Sequence, residues 1–285
     1  MTDTACNTVS TEPFYLRINN EKAIGIEENK NQLTVNDILT LQPEYLSFPL
    51  TSPIETKLLL KTFQNGVRLS EIGDCKVGEV DMTFCKPAFS DDDTKATLLK
   101  GAIIDRYLLR DKMSQGEIVF IDEKILHNIK TINMDIVNGE RIVMQGITGV
   151  NEKVRIKAMI VKDVYCANSL NFITLKKKIN KKYLLGILNS KLINFIFKQF
   201  NTNSNVNGYE INNLPIVEAD KEKTKQIADL VSKIISAKEK NHLADTASLE
   251  NKIDNIVYSL YQLDKDEIKL LSVEGYYYGK THFIR

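Results

Sequence analysis

The chain has 285 residues, 43% of them apolar and 26% charged, with a formal net charge of +1. That apolar content excludes wholesale disorder, and so small a net charge names no partner by itself. The placement is one-sided, however: Arg141 to Tyr209 carries twelve Lys or Arg against Glu152 and Asp163, a segment of +10 beside a remainder of −9, which suits a polyanion.

Residues 1 to about 12 are polar and read as a disordered start. Pro13 to Ile18 has strand composition, and Ala23 to Leu39 continues with a short strand, a turn around Glu27 to Asn31 and a helix start near Asn36. Ser52 as N-cap, Pro53 at the first helical position and Glu55 in the first turn predict a helix over 53–64, with Gly66 just beyond it. From Val67 to Ser90 apolar residues alternate, with Gly73 and Gly78 at the turns, as in two short strands and a loop. Asp91 to Asp93 read as a solvated loop tip, since three consecutive acids lack the alternate spacing of a calcium loop.

Leu98 to Arg110 reads as a strand or short helix carrying Arg106 beside Tyr107, and Glu117 to Asp122 and Arg141 to Gly149 read as strands. From Val154 the cations Arg155, Lys157 and Lys162 alternate with Val154, Ile156 and Ile160, a period of two that predicts a half-buried strand with a basic outer face. Phe172 to Lys178 is a further strand running into Lys176, Lys177 and Lys178. At Lys181 the period becomes helical, with Tyr183, Leu184, Ile187, Leu188, Leu192, Phe195 and Ile196 recurring at three and four. Asn201 to Gly208 is too polar for a core, and asparagine is both a turn former and a partner for adenine in the major groove. Two amphipathic helices close the chain, one with Ile227, Leu230, Val231, Ile234 and Ile235, the other with a seam of Leu249, Ile253, Ile256, Leu260 and Leu263.

Catalytic constellations are missing. The sequence has no GxSxG, no GxxxxGK[ST], no HExxH and no GxGxxG after a strand, so no catalytic residue is expected. Cys6, Cys75, Cys85 and Cys166 and the three histidines are scattered without ligand spacing, so no metal is expected. Reduced thiols and the lack of a signal peptide or membrane-length apolar run point to the cytoplasm, with no membrane partner.

Taken together, several stretches carry a resemblance. LSEIGDCKVGEV (69–80), LLKGAIIDRYLL (98–109), RIVMQGITG (141–149), YLLGILNSKLINFIF (183–197), the loop ending at Leu214 and Pro215, and IDNIVYSLYQLDKDEI (253–268) stand in one order over about residues 48–271. In that order the chain resembles the target-recognition region of restriction-modification enzymes with adenine-N6 DNA methyltransferase chemistry. The similarity is to the C-terminal specificity domain of the TaqI-like and Type IIG families, and more remotely to Type I specificity subunits. It departs from the whole enzymes in lacking the Asn-Pro-Pro-Tyr type motif and the glycine loop for S-adenosylmethionine, and from the Type I subunits in having one recognition domain with short helices.

The resemblance implies an α+β fold with a mixed, largely antiparallel sheet. It also implies three segments: 1–50 as the tail of a methyltransferase domain, 51–217 as the target-recognition domain and 218–285 as a helical region. The expected partners are double-stranded DNA, a bacterial methyltransferase domain or subunit that holds the S-adenosylmethionine, and a nuclease of the same system; no cofactor is expected on this chain. Lys153, Arg155, Lys157, Lys176, Lys177 and Lys178 are the expected phosphate contacts, and Arg106, Arg141, Gln145, Asn203, Asn205 and Asn207 the expected base or groove contacts. The rival is a noncatalytic protein-binding scaffold with no DNA role, which steep salt dependence of DNA binding would separate.

Overall fold

Thr34 and Ser52 each start a helix, and each does so with a capping box. Asp37 Oδ2 accepts the Thr34 N–H at 2.8 Å and Thr34 Oγ1 accepts the Asp37 N–H at 3.1 Å, and Glu55 Oε2 accepts the Ser52 N–H at 2.7 Å. The computed structural model describes residues 14–17, 30–44, 49, 51–110 and 119–272. The chain divides into one unit made of Met1–Gly66 with Tyr261–Arg285, and another made of Val67–Leu260. The expected polar start, the short strand after Ala23 and the last thirteen residues lie outside the described residues.

In the first unit, β1 (Phe14–Arg17) pairs antiparallel with β2 (Lys30–Leu33), and α1 (Val35–Leu41) is followed by α2 (Pro53–Asn65), the helix expected over 53–64. Leu33, Ile38, Leu41, Leu58, Leu59 and Phe63 form its buried side. Lys61 pairs at 2.7 Å with Glu267 of the helix Lys265–Ser272.

The second unit holds the sheets. Its elements begin with β3 (Val67–Arg68), α3 (Leu69–Ile72), β4 (Gly73–Val77), β5 (Phe89–Ser90), β6 (Ala96–Leu99), β7 (Ile104–Asp105), β8 (Leu108–Leu109) and β9 (Val119–Ile121). They continue through α4 (Glu123–Ile129), α5 (Met134–Asn138), β10 (Arg141–Gln145), β11 (Ala158–Val161), β12 (Tyr165–Cys166) and β13 (Leu170–Leu175). The last are α6 (Lys181–Leu188), α7 (Lys191–Phe200), α8 (Gly208–Asn212), β14 (Pro215–Ile216), α9 (Lys221–Lys240) and α10 (Ala247–Leu260). One four-stranded sheet has the order β11-β10-β13-β4 and is antiparallel throughout. The other, β12-β6-β9-β5, is antiparallel except for the β12–β6 pair. The fold is therefore α+β with mixed, largely antiparallel sheets, as the resemblance implies.

The two sheets meet on the turn Ala167–Ser169. Leu99 O accepts the Ala167 N–H at 2.9 Å, Val80 O accepts the Asn168 N–H at 2.8 Å and Ser169 O accepts the Gly146 N–H at 3.0 Å. Gly101 donates its N–H to Ser169 Oγ at 3.0 Å. A Cβ at Gly78 would overlap the Ala167 carbonyl, and one at Gly101 the Ser169 carbonyl, so both positions need the bare backbone for close approach. Three of the sequence stretches that carried the resemblance thus place a glycine on a single turn.

Three expectations need correction. The apolar run from Lys181 is two helices, because Ser190 caps a new one: its hydroxyl accepts the Ile193 N–H at 3.3 Å. The strand expected from Val154 begins only at Ala158, and Arg155 is buried rather than on an outer face. The seam expected along α10 is rotated, with Ile253, Asp254, Val257 and Tyr258 buried while Leu249, Ile256 and Leu260 are half-buried and Leu263 lies past the helix. The helix meets α6, α7 and α9 together, so its buried face is broader than the stripe that suits one partner.

Candidate nucleic-acid interface

The Leu-Asn-Ser junction between α6 and α7 works as a clamp. Asn189 Oδ1 accepts the Ala158 N–H and Asn189 Nδ2 donates to the Ala158 carbonyl, both at 3.0 Å. Asn194 Oδ1 accepts the N–H groups of Arg155 and Ile156 at 2.9 and 2.8 Å. Buried backbone groups outside the ladder need such partners, and here two asparagines supply them to the segment leading into β11. Asp254 Oδ1 in turn accepts the Lys191 N–H at 2.9 Å, which ties α10 to the start of α7.

The clamp delivers Arg155 to a position under two loops. Its side chain is 0% exposed; Nε donates to Thr148 Oγ1 at 2.7 Å, Nη2 donates to the Asn203 carbonyl at 2.8 Å, and the guanidinium lies 5.6 Å from the Phe197 ring centre. The loops pair with each other above it. Thr148 donates its N–H to Ser204 O at 2.8 Å, Val206 donates to Gly146 O at 2.9 Å, and Ile147 stands opposite Asn205 in an antiparallel bridge.

Further bonds fix the second loop from behind. Asn171 Nδ2 donates to Val206 O at 2.6 Å. Asn201 Nδ2 donates to Asn205 O at 2.7 Å and to the Glu210 carboxylate, which also accepts the Asn207 N–H and Nδ2 at 3.0 Å each. Exposed side chains on the two loops and just after them include Ile147, Asn151, Lys153, Thr202, Asn203, Ser204 and Asn205. The loop polarity legible in the sequence divides accordingly: Asn201 and Asn207 build the loop, whereas Asn203 and Asn205 face outward.

The other expected contacts fall into separate environments. Arg141 is buried, forks onto Glu79 at 2.9 and 2.7 Å, donates to Val164 O and lies 4.7 Å from the Phe172 ring centre. Burial alone would lower its pKa, but the hydrogen bonds and charge of Glu79 outweigh that and hold it above the ordinary arginine value. Gln145 is buried and donates to Ile104 O. Burial removes Arg141, Gln145 and Arg155 from any contact surface, so their expected direct roles are corrected to structural ones.

Arg106 donates to Asn189 O at 2.7 Å and pairs with Glu250 at 2.7 Å. Lys157 pairs with Glu152. Partial burial of Glu152 works against ionisation, yet Lys157 and the Gly149 N–H hold its carboxyl below the usual range. Lys176 pairs with Asp74 at 2.6 Å and donates to Ser70 O at 2.9 Å, while Lys177 and Lys178 are exposed.

The lysine run and the asparagine loop do not form one patch. The loop is tied to Asn171 near the start of β13, and Lys176 follows its end at Leu175. At ~3.3 Å per residue the two lie roughly 17 Å apart along the strand. Ile147, Thr148, Glu79 and Glu210 were missed as site-builders. The available signals were an isoleucine between Gly146 and Gly149 at a strand end and Glu210 three residues after Asn207, the spacing of a capping box; Glu79 carried none, because its partner Arg141 is distant in sequence.

Residues 96–216 match the family model of the TaqI-like C-terminal specificity domain, bounds that coincide with the first residue of β6 and the last of β14. A structure of the Type IIL restriction-modification enzyme MmeI in complex with DNA aligns at 12% identity and a TM-score of 0.50, covering 71% of this chain and 34% of that one. The HsdS subunit from Thermoanaerobacter tengcongensis aligns at 12% identity and a TM-score of 0.34, covering 73% of this chain and 51% of that one. The chain thus spans about a third of the length of the first and half of the second, and at this identity the likeness to the first is one of fold. No curated protein matches. Among the described residues, no helix is long and apolar enough to cross a membrane.

Proposed function

We propose that this chain, as the carrier of a TaqI-like specificity domain, reads double-stranded DNA for a bacterial restriction-modification system and presents a target adenine to a methyltransferase domain or subunit. The observation that carries the reading is the paired ribbon of residues 146–149 and 203–206, which lies within the matched segment and is braced by a buried arginine. A two-stranded ribbon fits the major groove, and rigid mounting lowers the ordering cost of binding. Asn203 and Asn205 are the candidate base readers, and Lys153, Lys177 and Lys178 the candidate phosphate contacts.

Methyl transfer would draw on S-adenosylmethionine held by the partner, since this sequence has neither the Asn-Pro-Pro-Tyr type motif nor the cofactor loop. A nuclease of the same system would share this reading, and the work would take place in the cytoplasm. The test is selection from a randomised duplex pool by the full chain, followed by salt titration. The expected result is one enriched motif and a log K that falls with log salt by ~0.9 per phosphate neutralised. Recovery of no motif, with salt-independent retention, would overturn the reading.

A further inference from the structure

Single exposed apolar side chains are common and need no explanation by themselves. Ile147 differs in how it is mounted. It is 61% exposed, while Ile142, Val143 and Met144 just before it are buried. The residues on either side are pinned, since Gly146 O accepts from Val206 and Thr148 donates its N–H to Ser204 O. Thr148 is itself buried, with its hydroxyl turned inward to Arg155. The isoleucine is thereby held outward by a rigid ribbon.

Its partner across the ribbon is Asn205. Directly opposed residues of an antiparallel pair present their side chains on one face, with Cβ atoms about 4.5–5.5 Å apart. Among the described residues the Asn205 amide donates and accepts no side-chain hydrogen bond, so its pairing edge is available. A branched apolar group and a free amide stand side by side, and an A·T pair shows the complementary set in the major groove: adenine N6 and N7 for an amide, the thymine 5-methyl for an apolar side chain.

We infer that Ile147 is a specificity-determining residue that packs on the 5-methyl of a thymine beside the adenine read by Asn205. The inference rests on the DNA-reading function proposed above. The experiment starts from the motif that the full chain enriches from a randomised duplex pool. Each thymine of that motif is replaced in turn by deoxyuridine, which removes only the methyl, and binding is measured for the wild type and for Ile147→Ala.

At one position the replacement should weaken the wild type about fourfold, the equivalent of ~0.8 kcal/mol for one buried methyl-sized group. The same replacement should leave Ile147→Ala unchanged, and that variant should still enrich the other positions of the motif. An enriched motif whose deoxyuridine forms affect both proteins equally, or a motif without thymine, overturns the role of Ile147 while leaving the DNA reading standing. A wild-type chain that enriches no motif overturns both, and is recognised before any variant is made.

Discussion

Arg155 donates from Nη2 to the main-chain carbonyl of Asn203 at 2.8 Å, and from Nε to Thr148 Oγ1 at 2.7 Å, so one buried cation holds both loops of the ribbon. Replacing it with a side chain of similar length but no donors leaves two oxygens without that partner, at a cost of about 1–3 kcal/mol. Arg155→Met should lower stability by that amount in urea unfolding. It should also reduce the ratio of affinities for a matched over a scrambled duplex more than it reduces binding to the scrambled one. Unchanged discrimination in a folded Arg155→Met protein would show that the brace does not matter to reading.

The three lysines after β13 differ in what they already hold. All three are exposed, but Lys176 is engaged by Asp74 at 2.6 Å, whereas Lys177 and Lys178 hold no ion pair among the described residues. Charge reversal of Lys177 and Lys178 should weaken all duplexes alike and reduce the slope of log K against log salt by ~0.9 for each phosphate that is no longer neutralised. Lys176→Gln should change the slope less than either reversal. Equal slopes for wild type and the Lys177→Glu/Lys178→Glu protein would remove these residues from the contact surface.

Asp254 is a buried carboxylate at the α7–α10 contact. Burial raises its pKa above the ordinary aspartate value, although the Lys191 N–H, the Lys191 charge and Arg106 act in the other direction. A group whose folded pKa is raised takes up a proton more readily in the folded state, so its contribution is fully present below the unfolded value of ~3.9 and is lost as pH rises through the folded value. Asp254→Asn keeps an acceptor for the Lys191 N–H and cannot ionise. Its stability relative to the wild type should therefore be most favourable near neutrality and should decline toward pH 4 in paired denaturation curves. A difference that grows toward acid would reverse the assigned sign.

Gly78 and Gly101 stand where an added Cβ would meet the carbonyls of Ala167 and Ser169. These obstacles are backbone, so they yield less readily than a side chain. Gly78→Ala and Gly101→Ala should each destabilise the fold by ~1–3 kcal/mol through overpacking, read as a lower urea midpoint. An Ala variant as stable as the wild type would mean that the Ala167–Ser169 turn can move aside.

Legibility followed the range of the interactions. Ser52, Pro53 and Glu55 start α2 through partners three residues apart, and the sequence alone placed that helix within a residue. The alternation from Val154 to Lys162 suggested an exposed cationic face because nothing local shows that Asn194, thirty-nine positions on, takes the Arg155 N–H. The lysines and the asparagine loop fall in one basic segment of the sequence because they flank the same apolar run. The chain doubles back through two helices between them, and they occupy opposite ends of β13. Gly78 was readable at a turn, but its meeting with Gly101 and Gly146 on Ala167–Ser169 is tertiary.

The Asn189 clamp has one more effect. In the order β11-β10-β13-β4, β11 is an outer strand, and the outward N–H and carbonyl of Ala158 are the groups on which a foreign strand could begin to add. The Asn189 amide occupies both, and the Tyr107 N–H also donates to that carbonyl at 2.9 Å. A side chain here imitates a neighbouring strand one residue long, so the position is closed to self-assembly and fibril growth without further sheet.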